Sequence, residues 1–173
     1  NDLRWRVEHA QVVHPEDIPL FGRYAIVPSV QATHATSDMA WAGQRLGNRV
    51  INAYAYKDLL AQNNWIPNGT DFPIEQINPL HTFLSAVYRI NTTGYPEGGF
   101  QINNALTPKE ALLSMTRWAA KACFADDFTG SLEKGKVADF VILDKDIMKI
   151  SAEELVTTQV LSTYLAGKEV FRR

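Results

Sequence analysis

The chain has 173 residues, 46% hydrophobic and 21% charged, the profile of a folded globular protein with enough apolar side chains for a core. A formal net charge of −2 and a pI near 6.1, without any Lys/Arg run, leave no electrostatic footprint for DNA or RNA. No apolar run approaches the ~20 residues of a membrane span, so neither nucleic acid nor membrane is an expected partner.

Leu3, Trp5, Val7 and His9 alternate with Arg4, Arg6 and Glu8, a period of two that predicts a first strand with one apolar face ending in a histidine. Pro15-Glu16-Asp17 opens a short helix through Phe21, with acids in its first turn and Gly22 closing it. The apolar run from Ala25 to Val30 predicts a second strand leading into Gln31-Ala32-Thr33-His34, so two strands each finish on a histidine. A polar, aromatic loop with Asp38 and Trp41 comes next. A third strand is expected over residues 49–56, a helical patch at Asp58-Leu59-Leu60 and a short fourth strand at Trp65-Ile66-Pro67. Strand and helix alternating at this spacing argue for βα units on a parallel sheet, whose ligands collect beyond the carboxyl ends of the strands. His9, His34 and Asp71, the last in Asn68-Gly69-Thr70-Asp71-Phe72-Pro73, fall at such ends. An aspartate before Phe-Pro also suits an ordinary turn.

A helix is expected over residues 80–89, then a Gly/Pro/Asn-rich loop over 91–104 that either covers a site or is plain surface. Thr107-Pro108-Lys109-Glu110 is a complete helix start, and the helix is expected to run to about Phe124 with Leu112, Met115, Ala119 and Ala122 on one face. The single Cys123 excludes an internal disulfide, and its apolar helical surroundings predict a buried thiol. After Asp126-Asp127 the chain turns β-rich. "ADFVILD" reads as a buried strand, Ser151-Ala152-Glu153-Glu154 caps a short helix, and "VLSTYLAGKEVF" reads as a hairpin around Ala166-Gly167. Residues 1–125 and 126–173 are therefore the expected domains.

Zinc accepts histidine nitrogen and carboxylate oxygen, and a catalytic site keeps about three protein ligands plus an open position. His9, His34 and Asp71 supply those types, although no compact motif such as His-Glu-x-x-His occurs. Two histidines and a carboxylate equally describe the facial triad of non-haem iron oxygenases, and metal-free acid/base work by an Asp and a His is a third reading. His14, before Pro15, and His81, near a helix start, read as hydrogen-bonded surface residues.

The stretches "RVEHAQ", "PSVQATHATSDM", "NGTDFPIEQINPL", "TGYPEGGF", "LTPKEAL" and "GSLEKGKVADFVILDKDI", in this order, resemble amidohydrolase family 3 of the amidohydrolase superfamily. The resemblance implies an α/β fold: the C-terminal half of a TIM-type (β/α)8 barrel (strands five to eight) followed by part of a small β-sandwich domain. "RVEHAQ" would be the fifth strand and "SVQATH" the sixth, and the Asp71 motif would close the eighth. By the same resemblance His9, His34 and Asp71 bind a divalent metal, zinc, and Asp71 takes the proton of the attacking water. Gly69 would permit the tight exit from the strand, and Asp38 and Arg89 would lie near the barrel mouth and bind substrate. The implied activity is hydrolysis of non-peptide C–N bonds in a small-molecule amide or cyclic amide.

The sequence also departs from the family pattern. The His-x-His pair of the first strand and the bridging carboxylate of the fourth do not occur, and Thr70 stands where serine is common. A barrel of this type takes about 250 residues. The chain is accordingly expected to be a C-terminal fragment, inactive alone, whose partner is the missing N-terminal half of the same polypeptide. A fragment acting only as a folding or interaction module is the alternative from another class. The chain opens on Asn1-Asp2-Leu3 and not on Met, which leaves the compartment open, and the sequence leaves a homo-oligomer open too.

Overall fold

The computed structural model describes residues 2–173. Its elements run β1 (Arg6–Glu8), α1 (Ile18–Arg23), β2 (Val27–Ser29), α2 (Ala32–Leu46), a 3-10 turn (Gly47–Asn52), α3 (Tyr56–Asn63), α4 (Pro79–Tyr88), a second 3-10 turn (Ile102–Asn104), α5 (Pro108–Met115) and α6 (Arg117–Ala122). The tail adds β3 (Phe140–Leu143), α7 (Ala152–Val156), β4 (Val160–Leu165) and β5 (Lys168–Arg172). Among the described residues, no helix is long and apolar enough to cross a membrane.

β1 and β2 pair in parallel, with Val7 opposite Pro28 and α1 in the crossover, which is the βα unit that the alternation predicts. A third segment lies alongside β2. Val30 forms a parallel bridge to Asn68, the Val30 N–H donates to the Pro67 carbonyl at 2.9 Å, and the Gly69 N–H donates to the Val30 carbonyl at 3.0 Å. The chain thus leaves three neighbouring, parallel segments just before His9, His34 and Asp71. Beneath them Val30, Tyr54, Tyr56, Leu59, Ile66, Phe83 and Leu84 form one buried cluster. Each such side chain contributes roughly 1.5–3 kcal/mol by leaving water. Helix α4 joins this core because Asn78 caps it, its side chain accepting from the Leu80 N–H at 3.0 Å, and Phe83 and Leu84 lie on its inner face. Leu155 of α7 belongs to the same cluster, and the Tyr88 hydroxyl donates to the Ile150 carbonyl at 2.7 Å.

Several elements differ from the sequence reading. Helix α1 starts at Ile18, not at Pro15, because Pro19 needs a first-turn position where its missing N–H costs no bond. Gly22 lies inside that helix and does not close it. A Cβ there would stand 2.8 Å from the Gln62 carbonyl oxygen, so the glycine permits close approach to α3. Residues 32–46, expected to include a loop with Asp38 and Trp41, form the longest helix, since Ala32, Ala35 and Ala42 recur at helical spacing and are buried. The third strand over 49–56 is absent: a 3-10 turn precedes Ala53, whose bridge to Val12 is isolated, and Tyr54 has a left-handed φ of 55°. Trp65-Ile66-Pro67 does not form a strand, and Pro67 has no N–H to offer a ladder. The long helix to Phe124 is broken at Thr116, whose hydroxyl donates back to the Leu112 carbonyl at 2.7 Å. Cys123 caps α6 and is exposed, not buried.

The tail forms an antiparallel sheet in the order β3-β4-β5, with Phe140 stacked on Tyr164 at 4.5 Å between ring centroids. The hairpin and both capping boxes, at Thr107/Glu110 and Ser151/Glu154, form as the local patterns predict. "ADFVILD" is a strand, but Val141 and Ile142 are exposed, so its continuous apolar character does not mark burial within this chain. Val7 of β1 and Trp5 just before it are likewise exposed.

Candidate metal centre

His9 leaves β1 with a φ of 69°, followed by Ala10 at 40°, and this left-handed pair turns the chain out of the sheet. His34 does not end a strand as expected. Gln31 is extended and caps α2, which places His34 third in that helix. Asn68 fastens the helix start to the neighbouring segment: its Oδ1 accepts from the Ala32 N–H at 2.9 Å, satisfying one of the amides a helix start leaves unpaired. Gly69 was expected to make the exit before Asp71. Instead, Gly69 avoids the left-handed region and Asp71 itself adopts a φ of 58°, which Asp tolerates better than most side chains. The Ile74 N–H then donates to the Asp71 carbonyl at 2.8 Å and closes the turn.

These turns bring three distant side chains together. His34 Nε2 lies 3.2 Å and His9 Nδ1 lies 4.0 Å from Asp71 Oδ2, and the rings are 5.8 Å apart between centroids. One donor atom from each of His9, His34 and Asp71 falls within 4.8 Å of the others. Side-chain exposure rises from 9% at His34 through 31% at Asp71 to 49% at His9, so the cluster has a closed side and an open side. The donor set suits a divalent ion: two imidazole nitrogens and one carboxylate oxygen, with bonds of about 2.0–2.2 Å when zinc is held.

A profile of the amidohydrolase family, in its third group, matches residues 1–171. The chain belongs to the amidohydrolase family. It is 36% identical to the protein LONG AFTER FAR-RED 3 of Arabidopsis thaliana over 98% of this chain and 29% of that protein. It is 28% identical to an imidazolonepropionase of Fusobacterium nucleatum over 93% of this chain and 40% of that one. Among solved structures it superposes on an uncharacterized metal-dependent hydrolase of Pyrococcus horikoshii with a TM-score of 0.76 and 32% identity, covering 87% of this chain and 31% of that one. The chain therefore spans about a third of the length of the curated relatives it matches, and its α/β fold covers about a third of amidohydrolase barrel structures.

Other polar side chains of this amidohydrolase-family chain surround the cluster. Asp38 sits one turn beyond His34 on α2, where its Oδ2 accepts from Gln11 Nε2 at 2.6 Å and from the Tyr54 hydroxyl at 2.9 Å. Burial pushes the Tyr54 hydroxyl pKa up. The contacts of Arg89 are elsewhere. Its side chain is fully buried at the end of α4, Nε donates to the Phe100 carbonyl at 2.9 Å, and the guanidinium stands 5.2 Å from the Tyr56 ring centroid. Burial lowers its pKa to about 10. Arg89 thereby anchors the loop over 91–104, and Gln101 of that loop donates from its amide to the Val50 carbonyl.

Three residues at the cluster escape a reading of motifs alone. Gln31 Oε1 is 2.9 Å from His9 Nδ1, Glu75 Oε1 is 3.0 Å from His34 Nδ1, and Ser37 donates to Glu75. The only available signal was a carboxylate four residues after Asp71, which gains meaning once the turn is known.

Proposed function

We propose that this chain carries part of the metal centre of a hydrolase acting on non-peptide C–N bonds in a small amide or cyclic amide. The observation that carries the reading is the meeting of His9, His34 and Asp71 at one end of three parallel segments. Family membership supports the reaction class. His9 and His34 would hold the ion through ring nitrogens, and Asp71 through a carboxylate oxygen. When bound, a divalent metal such as zinc lowers the pKa of a water from 15.7 to roughly 7 and polarises the substrate carbonyl. Asp71, whose side chain is partly open to solvent, would accept a proton from the attacking water and pass it to the departing nitrogen as the C–N bond breaks. Asp38 would meet polar substrate groups at the rim. Arg89, fully buried, would serve substrate binding only indirectly, by holding the loop over 91–104 through Phe100 and Gln101.

In this reading β1 and β2 are the fifth and sixth strands of a (β/α)8 barrel, residues 65–68 stand directly beside β2 where a seventh strand would lie while leading into the Asp71 motif expected to close the eighth, residues 1–125 are its C-terminal half, and residues 126–173 are part of a small β-sandwich. The exposed Trp5 and Val7 at β1 and the exposed Val141, Ile142, Val170 and Phe171 of the tail suit surfaces that the remainder of a longer polypeptide would cover. The missing His-x-His pair would come from that remainder.

Metal analysis of the longest polypeptide encoded around this chain tests the proposal. Near-stoichiometric zinc, sharply reduced by His34→Ala, together with release of amine or carboxylate from amide substrates, is the expected result. Iron with oxygen consumption would replace the reading by an oxygenase. Absence of both metal and activity would leave an interaction module.

A further inference from the structure

We propose that Glu75 is a positioning residue that holds the ring hydrogen of His34 on Nδ1 and so keeps Nε2 bare for the metal; the inference rests on the hydrolase reading above. His34 lies between two carboxylates, with Nδ1 3.0 Å from Glu75 Oε1 and Nε2 3.2 Å from Asp71 Oδ2. A carboxylate only accepts hydrogen bonds, and a neutral imidazole has one hydrogen to give. Where that hydrogen sits decides what the ring can do. On Nε2 it would bond to Asp71 and block the nitrogen that faces the cluster. On Nδ1 it bonds to Glu75, and the lone pair of Nε2 faces the Asp71 oxygen, an arrangement of two electron-rich atoms that a cation completes.

Two features favour Glu75 as the acceptor. Ser37, three residues after His34 on α2, donates to the same Glu75 oxygen, so the carboxylate is held from two points on one helix face. Glu75 is also the more sheltered acid, 17% exposed at its side chain against 31% for Asp71. The turn closed on the Asp71 carbonyl is what brings Glu75 back beneath the ring, so one loop places both acids. Carboxylates in this relation to a ligating histidine typically change metal affinity 10- to 100-fold when removed.

The test reads the hydrogen and the affinity separately, on the longest polypeptide encoded around this chain. Nitrogen-15 correlation spectra of the metal-free protein give the His34 tautomer, and competition with a chromophoric chelator gives zinc affinity. The wild type is expected to carry the hydrogen on Nδ1. Glu75→Ala is expected to move it to Nε2 and weaken zinc binding roughly 10- to 100-fold. Glu75→Gln, which keeps an amide oxygen as acceptor, is expected to restore the Nδ1 form and most of the affinity. Ser37→Ala is expected to leave the tautomer in place. Three results would overturn the assignment: a wild-type His34 with its hydrogen on Nε2, a Glu75→Ala protein with unchanged zinc affinity, or equal affinity losses in Ser37→Ala and Glu75→Ala with the tautomer unmoved, which is what a mere staple between loop and helix predicts. A wild type that binds no zinc overturns the hydrolase reading, and this assignment with it, whereas zinc bound normally by Glu75→Ala overturns this assignment alone.

Discussion

His34 meets carboxylates 37 and 41 residues away in the chain, whereas Glu169 of the tail sheet bonds Tyr164 and Arg172, five and three residues away. The two regions put polar side chains to different use. At the end that carries His9, His34 and Asp71, non-glycine residues accept left-handed backbone at His9, Ala10 and Asp71 so that distant side chains converge. In the tail, a hairpin and a capping box satisfy neighbours in sequence, and the ion pairs join residues three apart, as at Arg172–Glu169. Convergence of this kind costs backbone strain and needs a core behind it. Local pairing needs less of both: in the hairpin, left-handed backbone is confined to the Ala166-Gly167 turn.

Substitutions sharpen that contrast, beginning with the largest effect. In the proposed hydrolase, assayed as the longest polypeptide encoded around this chain, Asp71→Asn is expected to lower hydrolysis by about 10²–10⁴-fold, the usual range for a lost general base, with the folded far-UV circular dichroism spectrum retained. Phe83→Ala, which empties the core behind the His9–His34–Asp71 cluster, is expected to cost about 3–5 kcal/mol in denaturant unfolding. Phe171→Ala in the tail, half-exposed, is expected to cost far less.

Alkaline pH separates the regions as well. Burial raises the Tyr56 pKa above its ordinary value of about 10, as it does for Tyr54. The folded state therefore keeps protons that the unfolded state releases, and the stability this provides is present below about pH 10 and lost as pH rises through the folded values. Arg89, lowered to about 10 by burial, works in the opposite sense, so the two tyrosines against one arginine leave a net fall. Tyr56→Phe is expected to flatten the loss of stability above pH 10 in urea titrations. Thr107→Ala removes the α5 cap and is expected to cost about 1 kcal/mol. Arg172→Ala, a solvent-exposed partner in the tail, is expected to leave the unfolding midpoint unchanged.

What the residues alone revealed follows the same division. The two capping boxes, the closing hairpin and the parallel βα pairing were legible because period and turn chemistry act within a few residues. His9, His34 and Asp71 were singled out by residue type at segment ends and by family resemblance, with their meeting in space left to the fold. The rest depended on contacts no local pattern encodes. Alanines buried at helical spacing made α2 from a stretch read as a polar, aromatic loop with Asp38 and Trp41. Gly22 answers to the Gln62 carbonyl across a helix pair, and Gly69 proved unnecessary for a turn that Asp71 makes itself. Glu75 acquired a partner only through that turn.

The most direct test is crystallography of the longest encoded polypeptide with data collected at the zinc absorption edge. An anomalous peak within bonding distance of His9, His34 and Asp71 together is the predicted result. A fully occupied metal elsewhere in the molecule, or the two rings and the carboxylate directed away from one another, would contradict the account.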